Sequence, residues 1–315
     1  MKSRYLIRRA FTLATTLCVV ALATFLAFEV IPGDPVLTML GPDADPALVA
    51  RLREELGTEL PLPIRLARWT AGVITGDLGT SFRYGRPVVS LILDRLEISL
   101  TIAFLAMTAI VLIAIPLGVV LAVKRAHWSE PIVSMGVQLG MAIPSFWLGI
   151  ILISVFGVSL RLFPTGGYVP IREGFFTSIR SVTLPSIAIA VPLIAVVVRY
   201  TRNSMIDQFN QDYVRTAFSK GFPVRHVVTR HIVRNAALPV ITVLGLIFAN
   251  VVVGTIIIEQ VFALPGLGLL LVTAVGSRDF PLIQGLVLYI TFFVMLFNLL
   301  VDLAYHIVDP RVELS

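Results

Sequence analysis

Apolar residues in this chain come in long unbroken runs rather than in stripes. The runs are Ala10–Ile31, Ile98–Val123, Pro131–Leu160, Val182–Val198, Leu238–Phe262 and Leu282–Val308. About 20 consecutive apolar residues cross the hydrocarbon core of a bilayer as a helix, so the pattern predicts an all-α polytopic membrane protein of six transmembrane helices. Pro116, Pro144, Pro185 and Pro192 fall inside runs, which is tolerated where neighbouring helices cover the freed backbone groups. Pro144 lies near the middle of its run, and Val182–Val198 is the shortest. A further apolar stretch, Leu267–Val275, is too short to cross and reads as an outer helix or a re-entrant segment. The first run follows Lys2, Arg4, Arg8 and Arg9, and Ala21-Leu22-Ala23 resembles a signal-peptidase site. The apolar stretch continues through Phe25, Leu26, Phe28 and Val30, too far for a signal peptide, so an uncleaved first helix is expected.

Between the first two runs the pattern changes. Residues 32–97 are rich in charge, Pro and Gly. Leu48, Val49, Leu52 and Leu56 recur at helical spacing with Arg51, Arg53, Glu54 and Glu55 between them, which predicts a short amphipathic helix. Pro61 and Pro63 interrupt it, and a second short helix is expected over Ile64–Ile74. The organisation is then an N-terminal span over 1–31, an insertion over 32–97, a five-helix core over 98–308, and a tail over 309–315.

Composition agrees: 57% of residues are apolar and 14% charged, against roughly 45–50% and 25% in a soluble domain. Charge adds direction. The N-terminus, the 124–130 and 199–237 loops and the tail hold 14 Lys and Arg against 5 acids, while the other loops hold 11 of each. All three lysines, Lys2, Lys124 and Lys220, fall on the first side. The positive-inside rule makes that side cytoplasmic, with both termini inside and the 32–97 insertion outside. The net charge of +6 is loop charge and forms no continuous basic stripe, so no nucleic-acid partner is expected. The single cysteine, Cys18, sits in the first apolar run and makes no intrachain disulfide.

Catalytic chemistry is sparse. A Walker A loop needs Gly-Lys followed by Ser or Thr, and the three lysines follow Met1, Val123 and Ser219. No Gly-x-Ser-x-Gly elbow is present. His127, His226, His231 and His306 stand apart from cysteines and from any His-Glu-x-x-His pattern, so no metal and no cofactor are expected; His226 and His231, in a basic loop, read as surface- or phosphate-facing. Glu29, Glu259 and Asp302 lie near span ends, where they can reach an interface or a partner helix; Asn250 and Asn298 lie deeper and read as interhelical hydrogen-bonding groups.

The 199–237 loop is too long and too patterned for a turn. Tyr213, Ala217 and Phe218 would share a helical face, and Gly221 can end that helix. A short Arg-rich helix at the membrane surface would follow. Such a loop can bind anionic lipid headgroups or dock a cytoplasmic partner.

Here the chain resembles the ABC importer permeases of the dipeptide/oligopeptide/nickel family. The resemblance rests first on Asp212, Tyr213, Arg215, Thr216, Ala217, Lys220 and Gly221, then on Arg230, His231, Asn235 and Pro239. It extends along the whole chain through Pro32-Gly33-Asp34-Pro35, Gly76-Asp77-Leu78-Gly79-Thr80-Ser81, Arg86-Pro87-Val88, Pro265-Gly266-Leu267-Gly268, Arg278-Asp279-Phe280-Pro281 and Asp309-Pro310-Arg311. The general importer signature of Glu-Ala-Ala, three residues and Gly is replaced by Arg215-Thr216-Ala217 ahead of Gly221, a departure that looks like the peptide/nickel branch itself. The resemblance implies a permease subunit of the bacterial plasma membrane with no ATP site of its own. It also implies a second, similar permease subunit, one or two cytoplasmic ATPase subunits contacting Asp212–Gly221, and an extracytoplasmic solute-binding protein. The substrate class it implies is peptides, with nickel, metal chelates, opines and glutathione as alternatives. A self-sufficient secondary transporter would need inverted repeats and midplane charges, and a membrane enzyme a convergent set of His, Asp or Ser; neither pattern is clear.

Overall fold

The computed structural model describes residues 2–30, 36–37, 41, 44–57, 59–125 and 127–308. The expected motifs at 32–35 and 309–311 and the tail lie outside these residues, as does the side chain of Glu29. No strand occurs among the described residues beyond one isolated bridge between Thr80 and Pro87. Helices α1 (Lys2–Val30), α2 (Pro46–Leu56), α3 (Leu62–Thr75) and α4 (Val88–Val123) are followed by α5 (Glu130–Ala142) and α6 (Ser145–Leu152), the latter continued by a π-helical turn over Ile153–Ser159. Then come α7 (Phe175–Phe209), α8 (Asp212–Ser219), α9 (Val224–Val227), a π-helical turn Val228–Ile232, α10 (Val233–Val261), α11 (Leu267–Gly276) and α12 (Phe280–Val308). Five helical rods are long and apolar enough to cross a membrane, and a sixth results if the bent pair α5–α6 is one span.

That bend is the main departure from a simple row of spans. The expected single helix over Pro131–Leu160 is broken at Pro144 through 98°. Proline lacks an N–H and pushes its predecessor out of the helical region. Ile143 accordingly sits at φ −80°, ψ 120° and Pro144 at φ −64°, ψ 134°, two extended residues between two helices. Pro116, Pro185 and Pro192, by contrast, are absorbed inside continuous helices. Span ends also shift. The second span begins at Val88, ten residues before Ile98, and Val182–Val198 is the middle of a 35-residue helix.

The chain divides into two compact units. The first comprises residues 1–99 and 265–295. Its core joins Val88, Leu91 and Ile92 of α4 to Leu267, Leu270 and Ala274 of α11 and Leu282 and Leu286 of α12. The amphipathic helix and the second short helix expected in the insertion are both present. Asp45 caps α2 by accepting from the Ala47 N–H at 3.0 Å, and Gly57 and Gly76 end α2 and α3 in the left-handed conformation, the usual helix stop. The turn between α3 and α4 folds around one buried carboxylate. Asp279, just before α12, accepts from Ser81 Oγ at 2.5 Å and from the Phe82 and Arg83 N–H groups at 3.1 Å each. Ser81 Oγ in turn accepts from the Tyr84 N–H at 3.1 Å. The short apolar stretch after Gly266 forms α11, whose first N–H donates to Ser99 Oγ at 2.9 Å.

The second unit comprises residues 100–264 and 296–315, and α7 is its axis, packed against α5, α6 and α10. Gly118 of α4 lets that helix approach α7 closely: a Cβ there would stand 2.6 Å from Thr201 Cβ and 2.9 Å from the Val198 carbonyl oxygen. Of the polar span residues, Glu259 is fully buried, which leaves a partner helix rather than an interface as its surroundings, and Asn250 is exposed, its amide donating to the Leu246 carbonyl of its own helix at 3.0 Å. Asn298 does lie against α10, where a Cβ on Gly245 would be 3.6 Å from its Oδ1.

Candidate functional site

The basic stretch 199–237 is less of a loop than its charges suggest. No Gly or Pro interrupts residues 193–220, and α7 carries on through Arg199 and Arg202 to Phe209. Arg202 is held by a carboxylate: its guanidinium meets Glu130 Oε1 at 2.8–2.9 Å, and Ser134 Oγ donates to the same oxygen at 2.7 Å. Glu130 is the first residue of α5, so this cluster ties the start of α5 to α7. Only residues 210–223 leave the long helices, and they contain the candidate segment.

Helix α8 has eight residues, too few to persist alone in water, so packing must hold it. Val214 and Ala217, three apart and on one face, are buried at 1% and 7% exposure. They join a cluster with Ala122, Met205, Val227, Val228, Ile232 and Ala236. Burying a valine side chain contributes about 1.5–3 kcal/mol, enough to fix so short a helix. Of the residues expected to share a helical face, Ala217 points in, Tyr213 is half-buried, and Phe218 is exposed at the edge. Tyr213 closes the segment from the side, its hydroxyl donating to Gln208 Oε1 at 2.8 Å. Val214 is the anchor that charge-led reading missed; its three-residue spacing from Ala217 was the available signal.

Turned the other way, Asp212, Arg215, Thr216 and Lys220 are exposed. Arg215 lies 3.6 Å from Asp212 one turn away, with side chains 78% and 97% exposed, a pair that contributes little to stability. Thr216 Oγ1 donates to the Asp212 carbonyl at 3.0 Å. Gly221 ends the segment at φ +79°, its N–H donating to the Phe218 carbonyl at 2.9 Å. A Cβ built there would meet no atom within 4 Å, so glycine is favoured by conformation rather than by crowding. The structure thus brings Asp212, Arg215, Thr216 and Lys220 to one solvated surface, places Ala217 beneath it, and uses Tyr213 and Gly221 to hold its edges.

Beyond Pro223, the chain turns back through α9 and its π-helical turn. Phe222 stacks on His226 at 5.1 Å between ring centroids, and His226 meets His231 edge-on at 6.0 Å. Arg225, His226 and Arg230 are exposed and His231 is half-buried. Among the described residues no group of three or more His, Cys, Asp or Glu is placed to hold a metal ion. The result is a charged platform on an apolar footing.

The chain is 39% identical to a protein of Brucella melitensis whose name provisionally makes it a peptide transport system permease, over 99% of both chains. It is 37% identical to the oligopeptide transport system permease protein of Bacillus subtilis, over 98% of this chain and 99% of the other. It is 36% identical to the glutathione transport system permease protein of Salmonella paratyphi A, over 98% of each. Residues 2–103 match the model of the N-terminal region of binding-protein-dependent transport system membrane components, and residues 114–314 that of the inner membrane component itself. With membrane-length helices throughout and matches covering nearly its whole length, the chain belongs to the binding-protein-dependent transport system inner membrane component family, multi-pass permeases of the plasma membrane.

Proposed function

We propose that this permease imports small peptides, and that the surface made by Asp212, Arg215, Thr216 and Lys220 is where an ATP-hydrolysing subunit docks. The peptide reading is supported by the names of three relatives, which concern peptides, oligopeptides and glutathione, itself a tripeptide. The docking reading is carried by one observation: a helix too short to stand alone is anchored by Val214 and Ala217 while its charges are left facing solvent. A rigid footing with a free charged face can receive a push and pass it into α7, α4 and α10, which share its apolar cluster. The charge asymmetry of the loops supports a cytoplasmic position for this face and an outer one for the 32–97 insertion, where a solute-binding protein delivers cargo. A second, similar permease subunit completes the pathway, and anionic lipid headgroups surround the basic loops.

The test is a charge reversal with an internal control. Reconstituted with its partners, the Arg215→Glu, Lys220→Glu double variant should insert normally but lose at least tenfold in peptide-stimulated ATP hydrolysis. Val214→Ala should instead loosen the segment and lower both assembly and hydrolysis in part. Full stimulation by the charge-reversed variant refutes the docking surface; import of no peptide by the intact assembly refutes the cargo.

A further inference from the structure

We infer that the ion pair between Arg202 and Glu130 is a latch by which α7 carries the bent pair α5–α6, and that these two are positioning residues for transport. Resting on the docking reading of α8, the latch supplies a path from that helix to a span outside its apolar cluster. All of its parts lie within the second unit.

Helix α5 is apolar, yet its one buried residue is an acid. Ile132, Met135 and Leu139 are exposed, whereas Glu130, the first residue, has a side chain only 11% exposed. A carboxylate buried to this extent needs a partner. Arg202 brings two N–H groups to its Oε1, and Ser134, one turn along α5, brings a hydroxyl to the same oxygen. Charge-assisted bonds of this kind are directional and strong, so the start of α5 follows Arg202. The other end of α5 is a joint. Ile143 and Pro144 are extended, and the two halves meet at 98°. Terminal residues between helices are where hinge rotation is absorbed. The 13 residues of α5 therefore form a rod of about 20 Å, at 1.5 Å per residue, hinged at Pro144 and held at its far end by Glu130.

Arg202 sits where α8 acts. One stretch of α7 meets four helices: Thr201 packs against Gly118 of α4, Arg202 bonds to α5, Ser204 Oγ donates to the Ala236 carbonyl of α10 at 3.0 Å, and Met205 lies in the apolar cluster with Val214 and Ala217 of α8. The buried Thr201 hydroxyl has no hydrogen-bond partner, so it adds no directional tie to α4, in contrast to the ties to α5 and α10. Arg202 and Met205, three residues apart, are neighbours on the helix surface. A displacement of α8 that moves Met205 moves Arg202 with it, and α5 swings about Pro144.

The test places spin labels on Ile132→Cys of α5 and Tyr200→Cys of α7, both exposed, in a Cys18→Ser background. Pulsed electron resonance then reads the α5–α7 separation in the assembled transporter, with ADP and with a non-hydrolysed ATP analogue. With the ion pair intact the separation should be the same in both states. Arg202→Ala should make it differ between them, and should raise the ATP hydrolysed per solute imported at least threefold. Loss of folded protein alone would lower hydrolysis and import together and leave that ratio unchanged. Should Arg202→Ala fail to assemble, the double variant Glu130→Gln, Arg202→Met removes the pair without stranding a charge and carries the same expectation. A separation that changes with nucleotide while the pair is intact overturns the latch, and so does one that stays fixed when the pair is gone. An unchanged ratio overturns its part in transport. These outcomes hold whichever surface the ATP-hydrolysing subunit uses, whereas failure of the docking reading shows as a Thr216→Cys thiol that never cross-links to that subunit.

Discussion

Two short exposed segments of this permease are fixed in opposite ways. The turn over residues 77–87 is organised around a buried charge: Asp279 gathers a hydroxyl and two backbone N–H groups within 3.1 Å. The segment over residues 210–223 is organised around two buried apolar side chains, Val214 and Ala217, and keeps its charges outside. Directional bonds to a carboxylate allow a single arrangement of the chain. Apolar packing is non-directional, but a close-packed cluster transmits strain to the helices that share it. The first segment is fixed by aimed bonds to one carboxylate, the second by the fit of two side chains in an apolar cluster.

Substitutions can break this contrast, and the largest effect is expected at the carboxylate. Asp279→Ala would orphan the Ser81 hydroxyl and the Phe82 and Arg83 amides, opening the turn by about 3 kcal/mol, or roughly a hundredfold in equilibrium; hydrogen exchange at amides 82 and 83 measures it. Next is Arg202→Ala, which leaves the Glu130 carboxylate with Ser134 alone. Breaking a buried pair from one side costs up to about 3–5 kcal/mol, and the partial exposure of Arg202 puts the expected loss near 2 kcal/mol by thermal unfolding. Gly221→Ala should cost about 1 kcal/mol, since the residue must stay at positive φ; protease sensitivity between α8 and α9 reports it. Smallest is Arg215→Gln, expected within about 0.5 kcal/mol because its pair with Asp212 is solvated. A large stability loss there would erase the contrast, since the outer charges would then be structural.

Much of the fold was legible because membrane-length apolar runs admit few alternatives. Three features were not. Pro144 and Pro192 both lie inside apolar runs, yet one breaks its helix by 98° and the other is absorbed; local sequence states that an N–H is missing but not whether neighbours cover the carbonyl left behind. The ends of α7 were hidden because Arg199 and Arg202 read as loop charges, whereas Arg202 is neutralised by Glu130, 72 residues away. The role of Asp279 was hidden because its partners are some 197 residues distant in sequence. In the candidate segment the polar members, Asp212, Arg215, Thr216 and Lys220, were readable from the motif; which side faces inward was not, because eight residues define a helical phase poorly. The aromatic column of Phe222, His226 and His231 went unread because it depends on the π-helical turn.

The account rests most heavily on which face of α8 meets a partner. Thr216→Cys places a thiol on the exposed face, with only Cys18 elsewhere in the chain. Cross-linking this variant in the assembled transporter, with and without ATP, tests the claim directly. A cross-link to the ATP-hydrolysing subunit whose yield changes with ATP is the expected result. No cross-link to that subunit in either state, while the complex still imports peptide, would contradict the account.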